Sequence, residues 1–129
     1  MTKNNRKLKE YFAKQKEISL AFLFGSQAKK RASQTSDFDI AIWAKESFSR
    51  DKRNRVWQEI ETLLGKNVDL VLLNEARPTV AWAAMRGERL LIRDFGLYLR
   101  LFLRVSREAE DIQDFMLDFW KLKKRYADT

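Results

Sequence analysis

Apolar residues recur along the chain in two rhythms, and the alternation between them outlines the fold. Lys3 to Gln15 carries Leu8, Tyr11 and Phe12 at helical spacing, so a helix is expected there. Ile18–Phe24 is a mainly apolar run ended by Gly25, which suits a buried strand. Gln27 to Ala32 reads as a short helix and "SQTS" as a turn, before a second strand over Phe38–Ala44. Arg50–Leu64 is the clearest helix: Val56, Trp57, Ile60, Leu63 and Leu64 share a face, Ser49 or Asp51 can cap its start, and Gly65 stands at the C-cap. Val68 to Leu73 predicts a third strand. Pro78 opens a further helix closed by Gly87, and Arg89 to Ile92 predicts a short edge strand.

From Leu97 to Tyr126 the period is again helical, with Leu101, Val105, Ile112, Phe115, Phe119 and Leu122 on one stripe. An uninterrupted helix of that length would span ~45 Å, more than so small a domain can cover. Either it breaks near Ser106 or part of it contacts another chain, a second copy or a different protein. The order of elements predicts an α/β (α+β) fold, a mixed sheet of about four strands flanked by helices. Residues 1–96 form the expected core, and 97–129 a helical extension of the same single domain.

Composition narrows the chemistry. The 129 residues contain no cysteine and no histidine. Thiol nucleophiles, disulfides, Ser-His-Asp triads and nitrogen or sulfur metal ligands are therefore excluded. What remains is carboxylates, lysine, hydroxyls, backbone amides, or a metal held by oxygen: magnesium, calcium or manganese. A net charge of +8 suits a polyanionic partner (nucleotide, nucleic acid or acidic protein surface), or simply a solvated basic exterior. No apolar run approaches the ~18 residues of a membrane span, and the basic start lacks the apolar stretch of a secretion signal, so a cytoplasmic location is expected.

Candidate chemistry gathers between the first two strands. Gly25 and Ser26 stand where a strand passes into a helix, a place where unpaired amides bind phosphate; the same dipeptide also makes ordinary turns. Asp37 and Asp39 are two apart at a strand entrance, so their carboxylates share one face while Phe38 and Ile40 take the other. Without a cation the two repel; with a divalent metal they become ligands. Asp69 interrupts "NVDLVLL", which otherwise reads as buried strand, so it should be paired with an arginine or on a metal. If its strand lies beside Phe38–Ala44, three carboxylates face a phosphate-binding turn. Two metals ~4 Å apart bridging a triphosphate would then support in-line displacement at phosphorus.

The stretch "GSQAKKRASQTSDFDI", with a third aspartate on a later strand, resembles the nucleotidyltransferase pattern Gly-Ser, ten residues, Asp-x-Asp. Chain size, the closing helices and "RPTVAWAAMRGERLLIRD" extend the likeness to the minimal nucleotidyltransferases, MNT proteins of the DNA polymerase β superfamily. The resemblance implies that Gly25 and Ser26 bind the triphosphate of ATP and that Asp37 and Asp39 bind magnesium. It further implies that Asp69 completes the metal site and activates the acceptor. Many MNT proteins are antitoxins of a helical HEPN RNase toxin, so transfer of AMP to a tyrosine of such a toxin is the implied activity. Lys29 and Lys30 depart from the arginine and glycine usual in the motif, and lysine lacks arginine's planar fork. Two alternatives accompany this reading: a non-catalytic module that neutralises its partner by contact, and a small nucleotidyltransferase acting on RNA or drugs. Lys29, Lys30, Arg31 and Arg77 are further phosphate candidates, while Trp43, Trp57 and Trp82 are expected in the core.

Overall fold

The computed structural model describes residues 2–25 and 38–106 and the single positions 121 and 124. Among the described residues the elements follow in the order α1 (Lys3–Ala13), β1 (Ile18–Phe24), β2 (Phe38–Ala44), α2 (Arg50–Leu64), β3 (Val68–Leu72), α3 (Pro78–Met85), β4 (Glu88–Ile92) and α4 (Phe95–Ser106). The chain divides into two compact units, Met1–Arg93 and Asp94–Thr129.

In the first unit the four strands form one sheet in the order β3-β2-β1-β4. β1 runs antiparallel to both β2 and β4, while β2 and β3 are parallel. A parallel pair needs a crossover, and α2 supplies it. Because helices cover both faces of the sheet, central β1 is buried over nearly its whole length, Ser19 included, and shows no alternation. On one face, Leu8 and Phe12 of α1 and Val56, Ile60 and Leu64 of α2 join Ile18, Leu23, Ile40 and Ile42 in the core. On the other, α3 buries Ala81, Ala84 and Met85 and lies against β1, β2 and β4.

Local chemistry sets the element ends. Thr2 Oγ1 accepts from the Asn5 amide at 3.1 Å to start α1, and Ser49 Oγ accepts from Lys52 at 3.2 Å to start α2. Gly65 closes α2 in the left-handed conformation at φ 65°. The last turn of α1 carries no basic residue. A distant one replaces it: the Arg93 guanidinium donates to the carbonyls of Phe12, Ala13 and Gln15 at 3.1–3.3 Å and to that of Ile18 at 3.0 Å. β4 begins one residue earlier than its pattern predicts and is an edge strand. Of the tryptophans expected in the core, Trp57 is partly buried and packs against it, while Trp43 and Trp82 are only partly buried.

In the second unit, Asp94 Oδ1 accepts from the Leu97 amide at 3.0 Å to open α4. Tyr98, Leu101, Phe102 and Val105 are buried at helical spacing, whereas Arg100, Leu103 and Arg104 are exposed. The continuation expected to Tyr126, with Ile112, Phe115, Phe119 and Leu122, lies outside the described residues. No helix among the described residues is long and apolar enough to cross a membrane.

Candidate active site

The strand directions bring three chain segments to one end of the sheet. β1 finishes there, and β2 and β3 both start there. Phe24, the last residue of β1, pairs with Asp39, and Asp39 in turn pairs with Asp69 in the parallel register. The alternation expected at the head of β2 holds: Phe38 and Ile40 are buried in the core, which sends Asp39 to the opposite face. Val68 and Leu70 flank Asp69 in the same way, so the two carboxylates share the α3 face on neighbouring strands.

Gly25 adopts φ +76°, a left-handed conformation that side chains disfavour. A Cβ placed there would lie 2.0 Å from Asp39 Oδ2. The carboxylate thus occupies the space that any larger residue would need, and glycine is required twice over. The first strand's turn and the first acid of the site are packed as one piece.

Asp69 differs from its expectation in one respect. It interrupts an apolar run, yet it is exposed, because β3 is an edge strand whose α3-side surface is open at this position. Its carboxyl is nevertheless raised above the usual carboxylate range, first by partial burial against the sheet and second by the charge of Asp39. No arginine has to be invoked to account for it. Two residues of α2 hold the start of its strand, a role that no local pattern announces. Trp57 Nε1 donates to the Val68 carbonyl at 2.6 Å, and Glu61 Oε2 accepts from the Val68 amide at 3.0 Å. Their spacing of four along α2 puts both on one side of the helix.

Ser26, Asp37, Lys29, Lys30 and Arg31, with the short helix and turn expected between β1 and β2, lie outside the described residues. Arg77 stands at the start of α3, beyond the far end of β3, and so at the opposite end of the sheet from the acid pair. Among the described residues no group of three potential metal ligands is present, since only two of the three candidate carboxylates fall among them. Those two fit a hard divalent cation: like charges on one face, oxygen donors only, and one carboxyl pushed up by burial and then by the other's charge.

Residues 6–95 match the family described as Polymerase beta, Nucleotidyltransferase. A Methanocaldococcus jannaschii protein named "Putative protein adenylyltransferase" is 36% identical over 61 residues, 47% of this chain and 66% of that protein's length. A chain of a toxin–antitoxin crystal structure with AMP-PNP has a TM-score of 0.64 at 20% identity, covering 98% of this chain and 99% of that one. A chain of the tri-AMPylated Shewanella oneidensis HEPN toxin in complex with its MNT antitoxin has a TM-score of 0.60 at 17% identity, covering 95% and 98%. A chain of the MntA–HepT toxin–antitoxin structure gives 0.61 at 18% identity, covering 96% and 97%. At these identities the likeness to the solved structures is one of fold.

Proposed function

The chain belongs to the polymerase beta nucleotidyltransferase family, and from that premise we propose that it transfers AMP from ATP to a tyrosine of a partner protein, acting as the antitoxin of a HEPN-type toxin in the cytoplasm. The observation that carries this reading is the register that sets Asp39 beside Asp69, with Gly25 closed against Asp39. The named relatives support it, since they include a protein adenylyltransferase by name and an AMPylated toxin bound to an MNT antitoxin.

The chain's own residues suggest the division of labour. The amides following Gly25, with the Ser26 hydroxyl, bind phosphate oxygens at the end of β1. Asp39 and Asp69, joined by Asp37, would hold magnesium. When bound, that ion offsets the charge of the phosphates and of the departing pyrophosphate. Asp69 is the outer of the described pair, exposed toward an incoming acceptor, and its raised proton affinity suits it to take the hydroxyl proton. The tyrosine oxygen bonds to the α-phosphorus as the bond to pyrophosphate breaks, and the proton passes to the Asp69 carboxylate. The products are an AMP-tyrosine ester and pyrophosphate.

Incubation with α-phosphate-labelled ATP, magnesium and a candidate HEPN-type toxin is expected to label a toxin tyrosine. Asp39→Asn should remove at least ~99% of that label. Neutralisation of the toxin by Asp39→Asn without any labelling would instead establish inhibition by contact alone.

A further inference from the structure

The start of α2 meets the exit of β3 at the end of the sheet far from the acid pair, and a cavity of about 370 Å³ opens between them. That volume is at the lower end of the range for small-ligand sites, roughly 300–1,000 Å³. Phe48, Arg50 and Arg53 line it from the α2 side, and Leu72 and Glu75 from the β3 side. The fold fixes its walls. Asn74 accepts from the Ala44 amide at 3.0 Å and donates to the Ala44 carbonyl at 2.8 Å, which ties the exit of β3 to the end of β2. The Leu73 amide donates to the Ile42 carbonyl at 2.7 Å beside it. Phe48 and Leu72 are partly buried and rest on the core, so the floor is apolar.

Arg53 stands one turn before Val56 and Trp57, on the side of α2 that packs toward the sheet. Its Nε is buried and has no hydrogen-bond partner among the described residues. Neither Arg53 nor Arg50 forms an ion pair there with Glu75, although that carboxylate lines the same cavity. A buried donor without an acceptor is destabilising, and a charged one more so. Methionine would cover Phe48 and Leu72 without that penalty, so packing alone does not call for arginine here. Nε and one Nη of a guanidinium form a planar fork that matches the two oxygens of a carboxylate. Arg50 adds a second cation one turn earlier. Two guanidiniums and one carboxylate leave the lining at a net charge of +1, a balance that suits a singly charged group better than a doubly charged phosphate. We infer that this cavity binds a carboxylate carried on a short apolar body, with the Arg53 fork on the oxygens and Phe48 and Leu72 against the body. Such a group belongs to a small aliphatic acid, or to an acidic residue beside an apolar one in a protein segment. The site stands apart from AMP transfer, since Asp39 and Asp69 pair at the other end of the sheet.

The test is an NMR titration of the full chain, without metal or nucleotide, that follows the Arg53 Nε–H signal. Isovalerate is expected to shift that signal with a Kd of about 1 mM, whereas isovaleramide at the same concentrations leaves it in place. Inorganic phosphate should bind at least about tenfold more weakly than isovalerate. Arg53→Met should abolish the response of the Phe48 and Leu72 amide signals to isovalerate. Arg50→Ala, at an exposed position, should weaken isovalerate about threefold and reads out the site even if Arg53→Met does not fold. The capped peptide acetyl-Leu-Glu-Leu-amide separates the two sources: tighter binding than isovalerate assigns the cavity to a protein segment, and weaker binding to a small acid. No shift with either carboxylate up to about 50 mM, or an equal shift with isovaleramide or phosphate, overturns the inference and leaves AMP transfer untouched.

Discussion

Asp69 shows how a site residue can work against the fold that carries it. The parallel register holds it beside Asp39, and partial burial together with that neighbouring charge raises its carboxyl above the usual range. A carboxyl raised in the folded state binds more protons there than in the unfolded chain. Stability therefore falls as pH rises from the ordinary carboxylate value through the folded one, and the loss is complete once pH is above the folded value. Asp69→Asn removes the charge and keeps the shape. In metal-free protein at pH 7 it should raise the melting temperature by about 2 °C, a small figure because an exposed carboxylate is well screened. The gain should shrink as pH falls toward 5, and magnesium with ATP should stabilise the wild type more than the variant. Circular-dichroism melts across that range check the sign; a variant less stable than wild type at pH 7 would mean that Asp69 is held by an attractive partner.

Element by element, what the sequence revealed depended on how local the cause was. β1, β2 and α2 are bounded as their patterns predict, because Gly25, Ser49 and Gly65 act within a few residues of themselves. Asp39 was legible for the same reason, its direction following from buried Phe38 and Ile40 on either side. The exposure of Asp69 was not, since an apolar run does not tell whether its strand is central or at an edge. Nor were contacts made across long sequence separations, such as the Arg93 guanidinium on the end of α1 or Trp57 and Glu61 on Val68. These last two carry a consequence for the site, because they anchor the residue next to Asp69. Trp57→Phe keeps the ring's bulk but leaves the Val68 carbonyl without its donor. It should cost about 1 kcal/mol of stability, read from the urea midpoint. It should also slow toxin labelling about tenfold, since small displacements of a catalytic group are expensive. Trp43→Phe, on a strand end away from the acid pair, should leave the labelling rate unchanged.

At the scale of the molecule, the sheet of the first unit has α1 and α2 on one face and α3 on the other, and its chemistry stands at one end with Asp69 exposed. In the proposed reaction the candidate residues supply phosphate contacts and a proton acceptor, but among the described residues nothing grips an acceptor hydroxyl. Holding that hydroxyl in line with the α-phosphorus is then the partner's contribution, through the tyrosine it presents. Water reaches an exposed carboxylate freely, yet a water molecule has no side chain by which to be oriented, and orientation alone can be worth several orders of magnitude. The chain should therefore be a poor ATP hydrolase. With ATP and magnesium alone, release of AMP is expected to be at least ~100-fold slower than AMP transfer once the toxin is added. Chromatography of nucleotides from the two reactions measures the ratio directly. Equal rates would mean that the chain orients its own nucleophile, and the acceptor would then be water rather than a protein.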